Sequence, residues 1–379
     1  MVDRRRIVEQ WKQGAARVLV TLVRAQGSSY RAPGAHLLIG PDGEYAGTIS
    51  GGCLEAEVVR KAAWMVRDGA VVERYSTLFD DTAEIPFGLG CGGVVDLLLE
   101  PAETPECCAL VEAMQASLDG EERVVATWLP EGGSRLLRAI LSASGEVKFQ
   151  SDGLSEGKLD ALANHLVTPL RFQFQPDDGP YVERLDGPLR LFVLGAGDDA
   201  KPVVTMAALL GWRVTVADGR AQLLRPERFP EAERVTRSVS VADLGISAED
   251  AVVIMTHSYE QDRAFLTGLL IGLPGGEVPG YIGLLGASHR SSLLVSEAAA
   301  LLDSSVAECC ERVWAPVGLD IGGGGDGPEA IALAVVAEVQ AWRQGKLGTS
   351  RRLTAERVAE QIATGGASRY LQTQCATGA

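Results

Sequence analysis

Three features of this sequence predict an α/β protein built as an N-terminal α+β domain followed by a Rossmann-like parallel-sheet domain. In the second half, short apolar runs at 191–194, 213–217, 251–255 and 281–285 alternate with helical periodicity, the pattern of a parallel sheet covered on both faces. The first run leads into a glycine turn, Gly195-Ala196-Gly197, and the second ends at Asp218. In the first half, apolar strands are separated by turn residues such as Pro41-Asp42-Gly43, with helical patterns between them. The expected domains are 1–188, including a less legible middle region, and 189–345, followed by a polar tail at 346–379.

Ile7, Val8 and Trp11 mark a short amphipathic first helix, and 18–23 reads as a buried strand. Residues 26–33 form a polar turn segment, and the strands 35–40 and 44–49 flank the Pro41-Asp42-Gly43 hairpin signal. A helical pattern over 53–67 stops at Asp68-Gly69. The strand 71–78, the glycine-rich run 86–93 and the strand 94–99 follow. Residues 107–118 have helical spacing; 124–128, 136–141 and 147–149 alternate like antiparallel strands, and 175–179 is a polar turn. This middle region is expected to complete the first domain's sheet. In the second domain a helix over 201–210 is stopped by Gly211. A last clear helix follows Asp326-Gly327-Pro328, with Ile331, Val335, Val339 and Trp342 on one stripe and proline in the first turn. The tail carries only a weak helical stretch at 357–362, and no internal repeats are found.

Composition narrows the function classes. With a net charge of −15 and four scattered histidines, the chain lacks the basic face of a nucleic-acid binder or of a protein held on anionic membranes. No apolar run is long enough to span a bilayer, and Met1-Val2-Asp3-Arg4-Arg5-Arg6 is not followed by the apolar stretch of a secretory signal. Seven cysteines, with adjacent pairs at Cys107-Cys108 and Cys309-Cys310, make no disulfide framework and no C-x-x-C zinc site. A cytoplasmic, reducing location is expected.

Chemistry concentrates at glycine-flanked cysteines. Cys53 follows Ser50-Gly51-Gly52 and opens a helix, where unpaired N–H groups favour a thiolate or a bound anion. Gly51 and Gly52 are expected to offer their N–H groups to phosphate or oxo groups. Cys91 sits in Gly88-Leu89-Gly90-Cys91-Gly92-Gly93; close ligand approach and a tight turn with an inert thiol are the competing readings. Ser28, Ser29 and Arg31 lie between a strand and the hairpin, where Arg31 either grips phosphate or forms a surface ion pair. Glu55 is a helix-start carboxylate or orients the Cys53 thiol. The other four helical cysteines read as packing residues.

In the second domain, Gly195 and Gly197 with Asp218, 21 residues beyond Gly197, match the spacing of a dinucleotide fold in which the acid holds a ribose hydroxyl. Asp198 and Asp199 stand where a pyrophosphate would meet the helix, and carboxylates there repel phosphate. NAD(P) or another nucleotide therefore stays a competing cofactor, with an NAD(P)-dependent oxidoreductase as the competing function. His257, after the strand 251–255, either binds phosphate, transfers a proton or anchors its loop. His289 and Arg290 form a small basic spot.

Several ordered motifs resemble the XdhC/CoxI family of xanthine dehydrogenase accessory proteins. Gly27-Ser28-Ser29-Tyr30-Arg31-Ala32-Pro33-Gly34-Ala35 resembles its G-S-S-x-R-x-P-G-A segment, and Gly47-Thr48-Ile49-Ser50-Gly51-Gly52-Cys53-Leu54-Glu55 its G-x-I-S-G-G-C-x-E motif. Gly90-Cys91-Gly92-Gly93 matches a later G-C-G-G. In the second domain the likeness runs through Gly283-Leu284-Leu285-Gly286-Ala287, Pro316-Val317-Gly318-Leu319-Asp320-Ile321-Gly322 and the helix 329–338. Two positions depart from it: Asp198 replaces the histidine of a G-A-G-H turn, and Gly286-Ala287-Ser288-His289-Arg290 is less basic than the family's stretch.

The resemblance implies an accessory or maturation factor more than a catalyst. It implies a chaperone that binds molybdenum cofactor (molybdopterin), assists its sulfuration with a cysteine desulfurase, and inserts it into a xanthine dehydrogenase-type molybdenum hydroxylase. It also implies a homodimer. Thiolate chemistry suits molybdenum, which makes Cys53, then Cys91, the candidate metal contacts. An adaptor that docks the desulfurase or hydroxylase without touching cofactor is the remaining alternative.

Overall fold

We describe the protein from a computed structural model, which covers residues 1–27, 29–52, 54–76, 93–130, 135–163, 172–174, 179–272, 277–322 and 327–348. Two compact units, Met1–Gly187 and Pro188–Ser350, divide it.

The first unit begins with α1 (Val2–Lys12), β1 (Val18–Gly27), the hairpin strands β2 (His36–Ile39) and β3 (Tyr45–Gly47), α2 (Glu55–Met65), β4 (Val71–Ser76) and β5 (Gly93–Pro101). These strands form a five-stranded antiparallel sheet in the order β3-β2-β1-β5-β4. β1 runs past the expected end at 23 because residues 24–27 stay paired with β5 as far as Gly27↔Gly93, beyond an irregularity between Leu22 and Arg24. Period-two alternation divides β1: Val18, Val20 and Leu22 pack with Val58 and Ala62 of α2, while Leu19 faces α1 and the following helix.

That helix, α3 (Pro105–Leu118), is capped by Thr104, whose hydroxyl accepts from the Cys107 N–H, with proline at its first position. The middle region continues with β6 (Arg123–Trp128), β7 (Leu137–Ser142), β8 (Val147–Gln150), α4 (Glu156–Ala163), β9 (Phe172–Phe174) and β10 (Tyr181–Leu185). The expectation that this region completes the first sheet is corrected: it builds its own antiparallel sheet, β8-β7-β6-β10-β9. β5 already has β1 and β4 on its two sides, and β6 takes β7 and β10. The two sheets meet through side chains. Val23 and Leu98 pack with Leu136 and Tyr181, and buried Arg138 of β7 donates to both oxygens of buried Glu100 of β5 at 2.8 and 3.0 Å. Thr127 Oγ1 and the Glu106 carbonyl accept two more of its N–H groups, so the guanidinium is buried but hydrogen-bonded.

The second unit has a six-stranded parallel sheet in the order β13-β12-β11-β14-β15-β16. Its strands are β11 (Arg190–Leu194), β12 (Arg213–Asp218), β13 (Arg234–Arg237), β14 (Ala251–Ile254), β15 (Tyr281–Leu284) and β16 (Val313–Trp314). Its helices are α5 (Ala200–Leu209), α6 (Tyr259–Ile271), α7 (Ser288–Leu301), α8 (Val306–Arg312) and α9 (Pro328–Arg343). Alternate strand residues serve opposite cores. Leu191, Val193, Val214 and Val253 pack with α5 and α9; Phe192, Leu194, Val252 and Ile254 pack with α6 and α7. Burial on both faces explains why these strands read as continuous apolar runs. The order reverses between β11 and β14, the switch point beside which doubly wound sheets place their ligands. Gly211 ends α5 as expected, with a positive φ of 78° and the Gly211 and Trp212 N–H groups returning to the Ala208 and Ala207 carbonyls. No helix among the described residues is long and apolar enough to cross a membrane.

Candidate functional site

In the first unit the best-organised polar feature is the loop joining β3 to α2, ahead of Cys53. Glu55, at the start of α2, is 2% exposed and turns its carboxylate back into that loop. Oε1 accepts from Thr48 Oγ1 at 2.6 Å, Ile49 N at 3.1 Å and Ser50 N at 2.8 Å. Oε2 accepts from the Ser50 hydroxyl and from Gly52 N, the latter at 3.1 Å. Ser50 Oγ in turn accepts from Leu54 N at 3.0 Å. Burial alone would raise the Glu55 pKa, but the bonds from Ser50 and Thr48 outweigh it and hold the carboxyl below its ordinary value. The helix-start reading of Glu55 thus acquires a specific content: its charge shapes the loop.

Gly51 and Gly52 are exposed, and a side chain on Gly52 would meet nothing within 4 Å. The expectation that both N–H groups are open to a ligand is corrected for Gly52, whose N–H is held by Glu55; the Gly51 N–H has no partner among the described residues. Cys53, Cys91 and Ser28 lie outside the described residues. Ser29 Oγ donates to the Arg31 carbonyl at 2.8 Å, and Arg31 pairs with Asp3 of α1 at 2.7 Å, the ion-pair alternative for that residue. Cys107 is fully buried and burial pushes its thiol well above the usual range, as suits a packing residue.

The second unit brings its predicted residues together at the carboxyl ends of its strands. Gly195 has φ 130°, and a Cβ there would stand 2.3 Å from the Met255 carbonyl oxygen; only glycine lets the turn lie against β14. Asp218, expected to face a ribose, is 0% exposed. Its Oδ1 accepts from Arg220 N and Nε at 2.8 and 2.9 Å, and its Oδ2 from Ala196 N at 2.9 Å and Arg220 Nη2 at 2.7 Å. All this bonding ties the ends of β11 and β12 together. Burial works against its ionisation, yet the Arg220 and Ala196 bonds leave its pKa lowered.

Two carboxylates flank the α5 entrance, neither of them capping the helix. Asp199 Oδ2 lies 2.8 Å from His257 Nε2, and Asp198 pairs with Lys201 at 2.7 Å and Arg228 at 2.9 Å. His257 is the tip of the loop after β14 and adopts a positive φ of 60°, uncommon away from glycine. The contact with Asp199 links this loop to the start of α5. His289 is exposed, while Arg290 pairs with buried Asp262 at 2.6 Å.

Sequence reading missed Arg220, Arg228 and Asp262. Arg220 is two residues from Asp218, a spacing that could have signalled a self-contained pair. Arg228 and Asp262 act across the fold and leave no local pattern. No cluster of metal-ligating side chains occurs among the described residues.

Comparison with known proteins agrees with this architecture. The XdhC and CoxI family model matches residues 10–76, and the XdhC Rossmann domain model matches residues 191–339. A protein of Bacillus subtilis named as a probable xanthine dehydrogenase component is 28% identical over 85% of this chain and 92% of its own length. The molybdenum cofactor insertion chaperone PaoD of Escherichia coli is 25% identical over 89% of this chain and 86% of its own. A crystal structure described as a xanthine dehydrogenase from Bacillus halodurans shares the fold, with a TM-score of 0.75, 24% identity, and coverage of 94% of this chain and 99% of that one. With a family model matched in each half, in the same order as the relatives that span most of the chain, the chain belongs to the XdhC/CoxI family.

Proposed function

We propose that this protein is an accessory factor for a xanthine dehydrogenase-type molybdenum enzyme, binding molybdenum cofactor in its first unit and handing it to the apo-enzyme. The observation that carries the reading is the Glu55-held loop: a buried carboxylate orders residues 48–52 and leaves two exposed glycines directly before Cys53. Ordering a loop before the ligand arrives lowers the entropy lost on binding. Support also comes from PaoD, named as a molybdenum cofactor insertion chaperone and similar over most of both chains. The described residues fit such a group: open glycine backbone accepts a large polar ligand, and the sequence supplies a soft thiol donor beside it.

When bound, the cofactor supplies a dithiolene-held molybdenum with exchangeable oxo and sulfide ligands. In this proposal Cys53 is the thiol nearest that exchange, Cys91 the second candidate, and a cysteine desulfurase the sulfide source. In this proposal the second unit serves as a scaffold, because Asp198 and Asp199 put negative charge beside the start of α5 and Asp218 is committed to Arg220 and Ala196. The test is co-expression with active cofactor biosynthesis, then molybdenum and pterin measured per chain in wild type and Cys53→Ala. Near-equal molybdenum and pterin in wild type, lost from a folded variant, supports a carrier with Cys53 at its site. Absence of both from wild type that still retains the hydroxylase in a pull-down would replace the carrier with an adaptor.

A further inference from the structure

We propose that the Tyr30 ring is a stacking platform for the flat heterocycle of the bound cofactor, a pterin-class ring, beside the Gly51–Gly52 loop; this rests on the carrier reading above. Tyr30 is 74% exposed, far more than a tyrosine placed for packing. A Cβ built on Gly51 would stand 3.5 Å from its Cγ and 3.6 Å from both Cδ1 and Cδ2. Near-equal distances to these three atoms put that position over the ring, since the in-plane site beside Cγ is taken by the tyrosine's own Cβ. One face of the ring therefore turns toward the Gly51 backbone, and most of the residue's surface is left to a ligand.

Both partners are anchored. On the tyrosine side, Ser29 Oγ holds the Arg31 carbonyl, Arg31 is paired with Asp3, and Gly34 N donates to the Leu22 carbonyl at 2.9 Å. On the glycine side, the Glu55 carboxylate holds residues 48–52. One residue on, the Gly52 side-chain position is open space. The result is an exposed aromatic surface on an anchored segment, beside an ordered backbone that runs directly into Cys53 in sequence. Flat heteroaromatic rings stack on tyrosine through their π-faces with little demand on hydrogen-bonding pattern, so Tyr30 supplies affinity and orientation while the Gly51 N–H is left for a polar part of the ligand.

The experiment is loading of the full chain in cells making cofactor, comparing wild type, Tyr30→Phe, Tyr30→Leu, Tyr30→Ala and, as a control, Trp64→Ala, an exposed aromatic on α2. Pterin fluorescence after oxidation, molybdenum content and the rate of pterin loss on dialysis are read. Tyr30→Phe and Trp64→Ala should load and retain pterin like wild type. Tyr30→Leu and Tyr30→Ala should bind roughly 5- to 150-fold more weakly, the scale of ring stacking on an aromatic side chain. Leucine keeps the apolar bulk without the π-face, so it decides the matter even if the alanine variant fails to fold. A loaded wild type with equally loaded Tyr30→Leu overturns the platform and leaves the carrier reading standing. A wild type carrying neither pterin nor molybdenum overturns both.

Discussion

Glu55→Ala removes one acceptor group and leaves five donors behind. Thr48 and Ser50 hydroxyls can rotate to other partners, and exposed Gly52 can turn to water. The Ile49 and Ser50 N–H groups cannot do so easily, since these residues are 1% and 9% exposed. A buried donor left unsatisfied costs about 1–3 kcal/mol. Two such groups, less the relief of no longer burying a charge, give a loss of about 2–4 kcal/mol. Glu55→Gln should do about half that damage: its oxygen can keep Ile49 and Ser50, but its amide then opposes the Gly52 N–H. For a unit of this size 1 kcal/mol moves Tm by roughly 2–4 °C, so alanine should lower the first unit's transition by roughly 4–16 °C. Thermal and urea unfolding of the full chain, followed by circular dichroism, reads this directly. A Glu55→Ala protein that melts with wild type would refute the claim that this carboxylate organises the loop. The pH dependence has a definite sign. Glu55 has a lowered pKa in the folded state, so its contribution is complete above the unfolded carboxyl value of about 4.3 and is lost as pH falls through the folded one. The gap between wild type and Glu55→Ala should therefore be flat near neutrality and narrow below roughly pH 4.

Three further perturbations probe the rest of the molecule. Arg138→Met strands Glu100 between the two sheets of the first unit and should cost about 3–5 kcal/mol in urea unfolding, whereas Arg138→Met with Glu100→Leu should recover much of it; equal losses would show that the pair's charges are not the issue. Gly195→Ala forces a Cβ onto the Met255 carbonyl and should destabilise the second unit by at least about 3 kcal/mol, seen as loss of its cooperative transition; a soluble, wild-type-like variant would mean the turn has room. Titration with NAD or NADP should give no binding heat at millimolar nucleotide, because Asp198 and Asp199 set negative charge beside the start of α5 and Asp218 is committed to Arg220 and Ala196; micromolar binding would restore the oxidoreductase alternative.

Much of the second unit was legible because its signals are local. A buried parallel strand is a short apolar run, Gly211 stops the helix it follows, and the Gly195 turn needs a backbone that only glycine supplies. The stripe Ile331, Val335, Val339 and Trp342 predicted α9, in which Val335 and Val339 are buried and the other two pack against the same core. The middle region was less legible. Residues 124–128, 136–141 and 147–149 announced strands, but alternation tells which face of a strand is apolar and not which neighbour its backbone will choose.

The site divides in the same way. Glycines around Cys53 and acids at the α5 entrance were readable as residue types at fixed spacing. Their use was decided by folding. Glu55 sends its carboxylate to residues 48, 49, 50 and 52, Asp218 becomes the tie between two strand ends, and His257 meets Asp199 from 58 positions away. By itself the sequence determined the two fold types, the four central strands of the Rossmann-like half with helices α5 and α9, and the family to which the chain belongs, since each rests on periodicity or on motifs within a few residues. Only the tertiary structure decided that the first unit holds two sheets, that the Gly52 N–H is already taken, and that Tyr30 lies over Gly51. Those outcomes depend on which distant groups satisfy buried donors and acceptors, and that choice is made when the chain packs.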